Sequence, residues 1–277
     1  MDLQLKGKLC LVTGSTGGIG LEIAKLLVKN GAMVIVNGRS EKSTSAAIQV
    51  IHDEVSNTSK AFPAIGDLST ADGVNVFLKT IEKIEAEAGR SVDALINNLG
   101  IFHSQDFAEI SDEKWTEYYE TNTMSGVRLC RYFLPKMLER NEFGRIIFIS
   151  SECALKPLPN MLAYGVSKTS QLSLSRGLAE LTKGSNNITV NSILPGPTMT
   201  KGVEDYMRTW ASDNGFGEDV KVASKKYFEM HEPTSLAQRF LNPKEVAYAT
   251  VFLTSPLASG INGVAQHVDG GIVRHIS

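Results

Sequence analysis

Seven short apolar runs, each separated from the next by a longer stretch of different periodicity, organise the 277-residue chain. They read KLCLVTG, AMVIVNG, AFPAIGD, VDALINN, GRIIFIS, ITVNSIL and GVAQHVDGG. They are rich in β-branched residues and lack the polar alternation of a strand with one wet face, so they predict strands covered on both sides. The intervening stretches, such as GLEIAKLLVKNG, STADGVNVFLKTIEKIEAEAG and the whole of 111–140, place apolar residues three and four apart and predict helices. Ser111 and Asn242 are read as N-caps, and Gly31, Gly89 and Gly184 as helix stops. Strand, helix, strand in strict alternation specifies an α/β fold, a doubly wound parallel sheet with right-handed crossovers. No tandem repeat, low-complexity tract or linker interrupts the alternation, so residues 1–277 are read as a single domain. The rhythm falters only at about 199–241, a segment holding Tyr206, Met207, Trp210, Phe216, Tyr227, Phe228 and Met230. A segment that long inside a compact domain predicts a substrate loop or lid, made partly of helices.

Hydrophobic residues make up 42% of the chain and charged residues 21%, enough apolar material for a sizeable core. The formal net charge of -2, with basic residues scattered, provides no stripe that would neutralise nucleic-acid phosphates or dock on an anionic bilayer. Neither nucleic acid nor membrane is an expected partner. The opening MDLQLKGKLCLVTG is broken by Lys6 and Lys8 and lacks a signal peptide's continuous apolar region, and no later window is apolar enough to span a bilayer. The expectation is a soluble, cytoplasmic protein. Cys10, Cys130 and Cys153 are far apart and odd in number, and the five histidines are dispersed, so neither a disulfide framework nor a metal site is expected.

VTGSTGGIG ends the first predicted strand and opens the first helix, with Gly14, Gly18 and Gly20 at the turn. Glycines there permit a tight bend and close approach to a pyrophosphate, while the helix's free amides attract the anion. The second strand ends VIVNGRS, where Gly38 stands in the place of the acid that usually binds both ribose hydroxyls of NAD. Arg39 follows, and a guanidinium can pair with a 2′-phosphate or stack on adenine. NADPH preferred over NADH is therefore the expected cofactor. In AYGVSK, Tyr164 and Lys168 lie four apart, so on a helix both point into one cleft. A nearby ammonium favours phenolate, and Lys168 is expected to bring the Tyr164 pKa down from its ordinary value near 10.

These pieces occur in an order that resembles the short-chain dehydrogenase/reductase family over nearly the whole chain: TGSTGGIG, GDLS, NNLG, TN at Asn122, the serines at 150 and 151, YGVSK, PGPTMT and VDGG. The resemblance implies a Rossmann-type single domain, a nicotinamide cofactor and a catalytic set of Asn122, Ser151, Tyr164 and Lys168. Ser151 is chosen over Ser150 because the family's serine stands thirteen residues before its tyrosine. It also implies cofactor contacts from Ser15, Thr16 and Ile19 among the loop glycines, from Ser40 beside Arg39, from Asp67 and Leu68, and from Asn98 and Gly100. Pro195, Gly196, Thr198 and Thr200 complete that set, together with Tyr164 and Lys168, while Asn97 is implied to steady the sheet. Leu99 departs from the family's usual alanine. The implied chemistry is reduction of a carbonyl held between Ser151 and Tyr164, with Tyr164 as general acid and Asn122 holding a relay water.

The substrate wall is expected from 199–241 and from ECALKPLPNM, whose Leu155, Leu158 and Met161 suit a mainly apolar small-molecule carbonyl or alcohol. The overall pattern is similar to 3-oxoacyl carrier-protein reductases. A carrier-protein substrate would want a basic patch, which Lys156, Lys201, Arg208 and Arg239 could supply but Glu204, Asp205, Glu218 and Asp219 would offset. The expected function is an NADPH-dependent, reversible ketoreductase, with a 3-oxoacyl thioester as one candidate substrate. The alternative is a non-catalytic dinucleotide-sensing protein or scaffold of the same fold. The resemblance further implies a homo-oligomer, tetramer or dimer, packed through the helices of Asn122 and Tyr164.

Overall fold

The structure is a computed structural model that describes residues 1–55, 60–185, 187–217 and 219–274. All seven predicted strands form: β1 (Leu9–Val12), β2 (Met33–Gly38), β3 (Ala61–Ile65), β4 (Ala94–Asn97), β5 (Gly144–Ile149), β6 (Ile188–Pro195) and β7 (Ala265–Val268). They make one sheet in the order β3-β2-β1-β4-β5-β6-β7, parallel at every pairing. Strand order reverses between β1 and β4, and the crevice beyond the carboxyl ends of those two strands is where this architecture receives ligands.

Successive side chains point to opposite faces, so each central strand feeds two cores. Cys10 and Val12 of β1 join Val34, Val36, Ile96 and Ile147 on one face, while Leu9 and Leu11 join Ile35, Leu95, Ile146 and Phe148 on the other. The first face is covered by α1 (Gly18–Lys29), α2 (Glu41–Glu54) and α9 (Pro243–Thr254), through Ile23, Leu27, Ile51 and Val251. The second lies under α3 (Ala71–Ala88), α5 (Ser125–Arg140) and α6 (Leu162–Glu180), with Phe77, Phe133 and Ala179 buried against it. The edge strand β3 alternates buried and open positions and carries Pro63, whose missing amide an edge tolerates.

The helix ends follow the sequence signals. Ser111 and Asn242 accept backbone amides of the first turns they precede, and Gly89 closes α3 in the left-handed conformation. The stretch 111–140 departs from its single-helix expectation. It divides into α4 (Asp112–Tyr118), a π-helical turn over Tyr119–Met124, and α5. The 199–241 segment folds as α7 (Lys201–Asp213) and α8 (Val220–His231) around a cluster of its own, with Met207, Ala211 and Ala223 buried and Trp210 stacked on Phe216. Both ends of that excursion are tied at one neck, where Thr198 bridges Leu241 and Leu241 donates to the Pro197 carbonyl at 2.8 Å. Among the described residues, no helix is long and apolar enough to cross a membrane.

Candidate active site

The loop between β1 and α1 is shaped by its glycines. Gly14 and Gly18 have φ of +59° and +54°, a region that side chains disfavour. A Cβ on Gly20 would stand 2.4 Å from Asn98 Nδ2 and 2.7 Å from the Gly14 carbonyl oxygen, so the loop and helix can pack this closely only without one. Remote residues fix the loop. Asn37 Oδ1 accepts from the Gly14 amide at 3.0 Å, Thr13 Oγ accepts from the amides of Asn98 and Leu99, and Asn98 Nδ2 donates to the carbonyls of Thr13 and Gly14. The N-terminus of α1 has no side-chain cap and no acid in its first turn, so its amides and positive end face the crevice. Backbone donors, no competing carboxylate and no side chain in the way are what a dinucleotide pyrophosphate requires.

At the end of β2, a Cβ on Gly38 would lie 2.5 Å from Thr16 Cγ2 and 2.9 Å from Thr44 Oγ, so the position resists an acid. Arg39 is exposed beside it and helps to hold the Asp67 carboxyl below its ordinary range, behind the larger effect of hydrogen bonds from Ser69. Ser40 caps α2.

One cavity of about 810 Å³ joins this crevice to the ends of β5 and β6. Of the predicted residues, it brings together Gly14, Gly18, Ile19, Gly20, Asn98, Gly100, Ser151, Tyr164, Lys168, Pro195, Gly196, Thr198 and Thr200. Thr16, Arg39, Ser40 and Asp67 lie beyond it at the strand ends. Two of the residues expected to contact the cofactor turn their side chains away from the cavity. Ser15 is wholly buried, donating to the Val12 carbonyl and accepting from the Asn37 amide, and Leu68 packs into the sheet's second core. Both side chains are turned into the scaffold by the packing that shapes their loops. Leu155, expected on the substrate wall, is exposed outside the cavity.

The Ser150 hydroxyl donates to the Lys168 carbonyl, whereas Ser151 begins a short 3-10 turn (Glu152–Ala154), accepts from the Cys153 amide, and lines the cavity with Tyr164. Lys168 is buried one turn after Tyr164 on α6, and its Nζ donates to the Ile149 carbonyl at 2.8 Å and Gln171 Oε1 at 3.2 Å. Asn122 lies behind the cavity in the π turn. Its side chain clasps the amide and carbonyl of Ile101 and donates to Ser167 Oγ, while its main-chain carbonyl accepts from Gln171 Nε2 at 2.5 Å. Gln171, absent from the sequence reading, thereby bridges Lys168 to Asn122. π turns of this kind are frequent at functional sites.

The electrostatics differ from the sequence expectation. Burial, then the charges of Cys153 and Glu152, push the Tyr164 phenol up, and the neighbouring Ser151 hydroxyl only partly opposes them. Burial pushes Lys168 down to about 7. The expected acidification of Tyr164 by Lys168 is not found in this state: the amine is itself desolvated, faces Ile149 and Gln171, and stands 5.6 Å from the Tyr164 ring centre.

The substrate end of the cavity is more polar than predicted. Phe102, Leu158, Met161, Tyr206, Tyr227 and Phe240 are interrupted by Glu152, Glu232, His103 and Asn160. Glu152 is buried, accepts from Ser151 Oγ at 2.6 Å, and has its carboxyl pushed up to about 7 by burial. Glu232 is buried and ion-paired with Lys156. The other basic residues considered for a carrier-protein patch are paired too: Lys201 with Asp205, Arg208 with Glu204 and Arg239 with Glu245. Glu218 lies outside the described residues.

The model of the family described as short chain dehydrogenase matches residues 8–210. The chain is 49% identical to the uncharacterized oxidoreductase YvrD of Bacillus subtilis, the alignment covering all of both proteins. It is 32% identical to the 3-oxoacyl-[acyl-carrier-protein] reductase FabG of Escherichia coli, over 98% of this chain and 99% of that one. Among solved structures, L-sorbose reductase from Gluconobacter frateurii, complexed with NADPH and L-sorbose, superposes with a TM-score of 0.89 at 32% identity, covering all of both chains.

Proposed function

The chain belongs to the short-chain dehydrogenase family and is a dehydrogenase/reductase enzyme with an NAD(P)-type cofactor, and on that premise we propose that it uses NADPH to reduce a ketone reversibly to a secondary alcohol. The observation that carries the reading is that Ser151, Tyr164 and Lys168 line the same cavity as the uncapped, glycine-walled start of α1.

In this reading Gly14, Gly18 and Gly20 admit the pyrophosphate, Thr198 and Thr200 hold the far end of the cofactor, and Arg39 pairs with the 2′-phosphate. When bound, the nicotinamide supplies the hydride that reaches the carbonyl carbon. Ser151, its hydroxyl turned from Glu152 toward the substrate, and Tyr164 orient the carbonyl oxygen between two hydroxyls. Tyr164 donates its proton as negative charge develops on that oxygen, and a phenol kept protonated by burial suits this direction. Lys168, with a pKa near 7, can return the proton to Tyr164, and Gln171 and Asn122 hold the amine in place. The 199–241 excursion, pinned at its neck, serves as the lid that excludes water from the reacting carbonyl. A carrier-protein-bound 3-oxoacyl substrate is the less favoured choice, because the basic residues that would greet an acidic carrier are already paired.

The test is purified protein with NADPH or NADH and a panel of ketones that includes a 3-oxoacyl thioester, followed by loss of the reduced-nicotinamide absorbance. Turnover of a simple or hydroxylated ketone with NADPH is expected. Cofactor binding without turnover across the panel would sink this reading in favour of a dinucleotide sensor.

A further inference from the structure

Glu152 has no place in the reaction just described, yet its carboxyl is buried beside it. It follows Ser151 in the chain, the 3-10 turn of Glu152–Ala154 presses it against α6, and its side chain lines the cavity. Only 6% of the residue is exposed, and one oxygen is 2.6 Å from Ser151 Oγ. Burying a carboxyl is costly unless something polar meets it. Ser151 meets one oxygen, and a carboxylate offers about four lone-pair sites.

Resting on the ketone reading above, we propose that Glu152 is the specificity-determining residue of the cavity and selects small, uncharged ketones bearing a hydroxyl on the carbon next to the carbonyl. A carbonyl oxygen held by Ser151 and Tyr164 brings its neighbouring carbon to the wall adjoining Ser151, and that wall is Glu152. A hydroxyl there donates to the carboxylate. A hydrogen in its place leaves a buried acceptor unpaired, and this asymmetry lets hydrogen-bonding sites discriminate far more sharply than apolar ones. The groups facing Glu152 agree with a neutral substrate. Lys156, from its own loop, is committed to Glu232 at the end of α8, and the remaining neighbours with titratable groups, Cys153 and Tyr164, bring no positive charge. A keto acid or phosphorylated ketone therefore meets a second carboxyl without a spare cation.

The experiment compares butan-2-one, 1-hydroxybutan-2-one and 2-oxobutanoate with NADPH, using the full chain, Glu152→Gln and Glu152→Leu. For the unsubstituted protein, kcat/KM for the hydroxyketone should exceed that for butan-2-one by about a hundredfold or more. The ratio should shrink in Glu152→Gln and fall to within about threefold of unity in Glu152→Leu. 2-Oxobutanoate should be the poorest of the three for the unsubstituted protein. The ratio in that protein needs no variant, so a folding defect in Glu152→Leu leaves the proposal testable. A ratio near unity there, or a large ratio that survives in Glu152→Leu, overturns the role of Glu152 and leaves ketone reduction standing. No turnover of any of the three, nor of the wider panel, overturns ketone reduction itself.

Discussion

Where β1 and β4 part, the cavity is walled by backbone: uncapped amides, glycines in left-handed or crowded positions, other amides held by Asn37 and Thr13, and carbonyls held by Asn98. Where β5 and β6 end, it is walled by side chains, among them Ser151, Tyr164, Glu152, Glu232 and the aromatic rings of the 199–241 excursion. The first half presents peptide groups of fixed charge and position, suited to a ligand that never changes. The second holds groups whose protonation the surroundings control, suited to chemistry and to choosing a substrate. The two halves should therefore fail in different ways, by steric crowding in one and by loss of a functional group in the other.

The largest expected effect is in the substrate half. Tyr164→Phe should lower kcat by about 10²–10⁴, the usual contribution of a positioned acid, while the NADPH Kd measured by nicotinamide fluorescence stays nearly the same. If cofactor binding falls with it, the halves are not separable. Gly20→Ala attacks the other side. Its new Cβ meets Asn98 and the Gly14 carbonyl, and the strain of one to three kcal/mol typical of overpacking should weaken NADPH binding by about 10–100-fold in the same titration. Arg39→Asp should move the ratio of kcat/KM between NADPH and NADH toward NADH by about 10–100-fold, the scale of one charge-assisted contact.

A smaller effect sharpens the comparison through pH. The folded Glu152 carboxyl, at about 7, lies above its unfolded value of 4.5, so between those pH values the folded state binds more protons and stability falls as pH rises. Glu152→Gln carries no such titration. Its stability relative to the unsubstituted protein should therefore improve as pH rises from about 4.5 to 7 and then level off, by on the order of 3 kcal/mol in urea melts. A flat difference would mean that the carboxyl is solvated. The smallest expected change comes from Gln171→Leu, which removes the bridge between Lys168 and Asn122 but leaves Lys168 its bond to Ile149. About 1 kcal/mol of stability should be lost, again measured in urea, and no loss would show that water replaces the bridge.

The same contrast explains what was legible beforehand. Gly14, Gly18 and Gly20 could be recognised because a tight turn states its needs locally, and Tyr164 with Lys168 because four residues on a helix share a face. All seven strands were readable from their unbroken apolar runs. Asn37 was not, because its partner Gly14 is distant in sequence, and Gln171 resembled any polar residue of an amphipathic helix until the fold buried it against Asn122. Ser15 and Leu68 were assigned to the cofactor by their place in a pattern, which specifies a backbone path but not the direction of each side chain. Glu152 looked like an ordinary loop acid, and only the approach of α6 makes it a buried one. The π turn hid inside a stretch whose spacing read as one regular helix.

That turn between Tyr119 and Met124 has a genetic corollary. A regular helix advances about 100° per residue, so losing one codon here would be unlike exchanging one amino acid. The shortened chain could run on as an ordinary helix, but it would swing the Asp112–Tyr118 segment around the axis relative to Asn122, parting the Tyr118 hydroxyl from the His103 amide it now receives. In-frame deletions should accordingly be rarer across Tyr119–Met124 than substitutions at the same positions, because a helix restored there would dismantle the wall it supports.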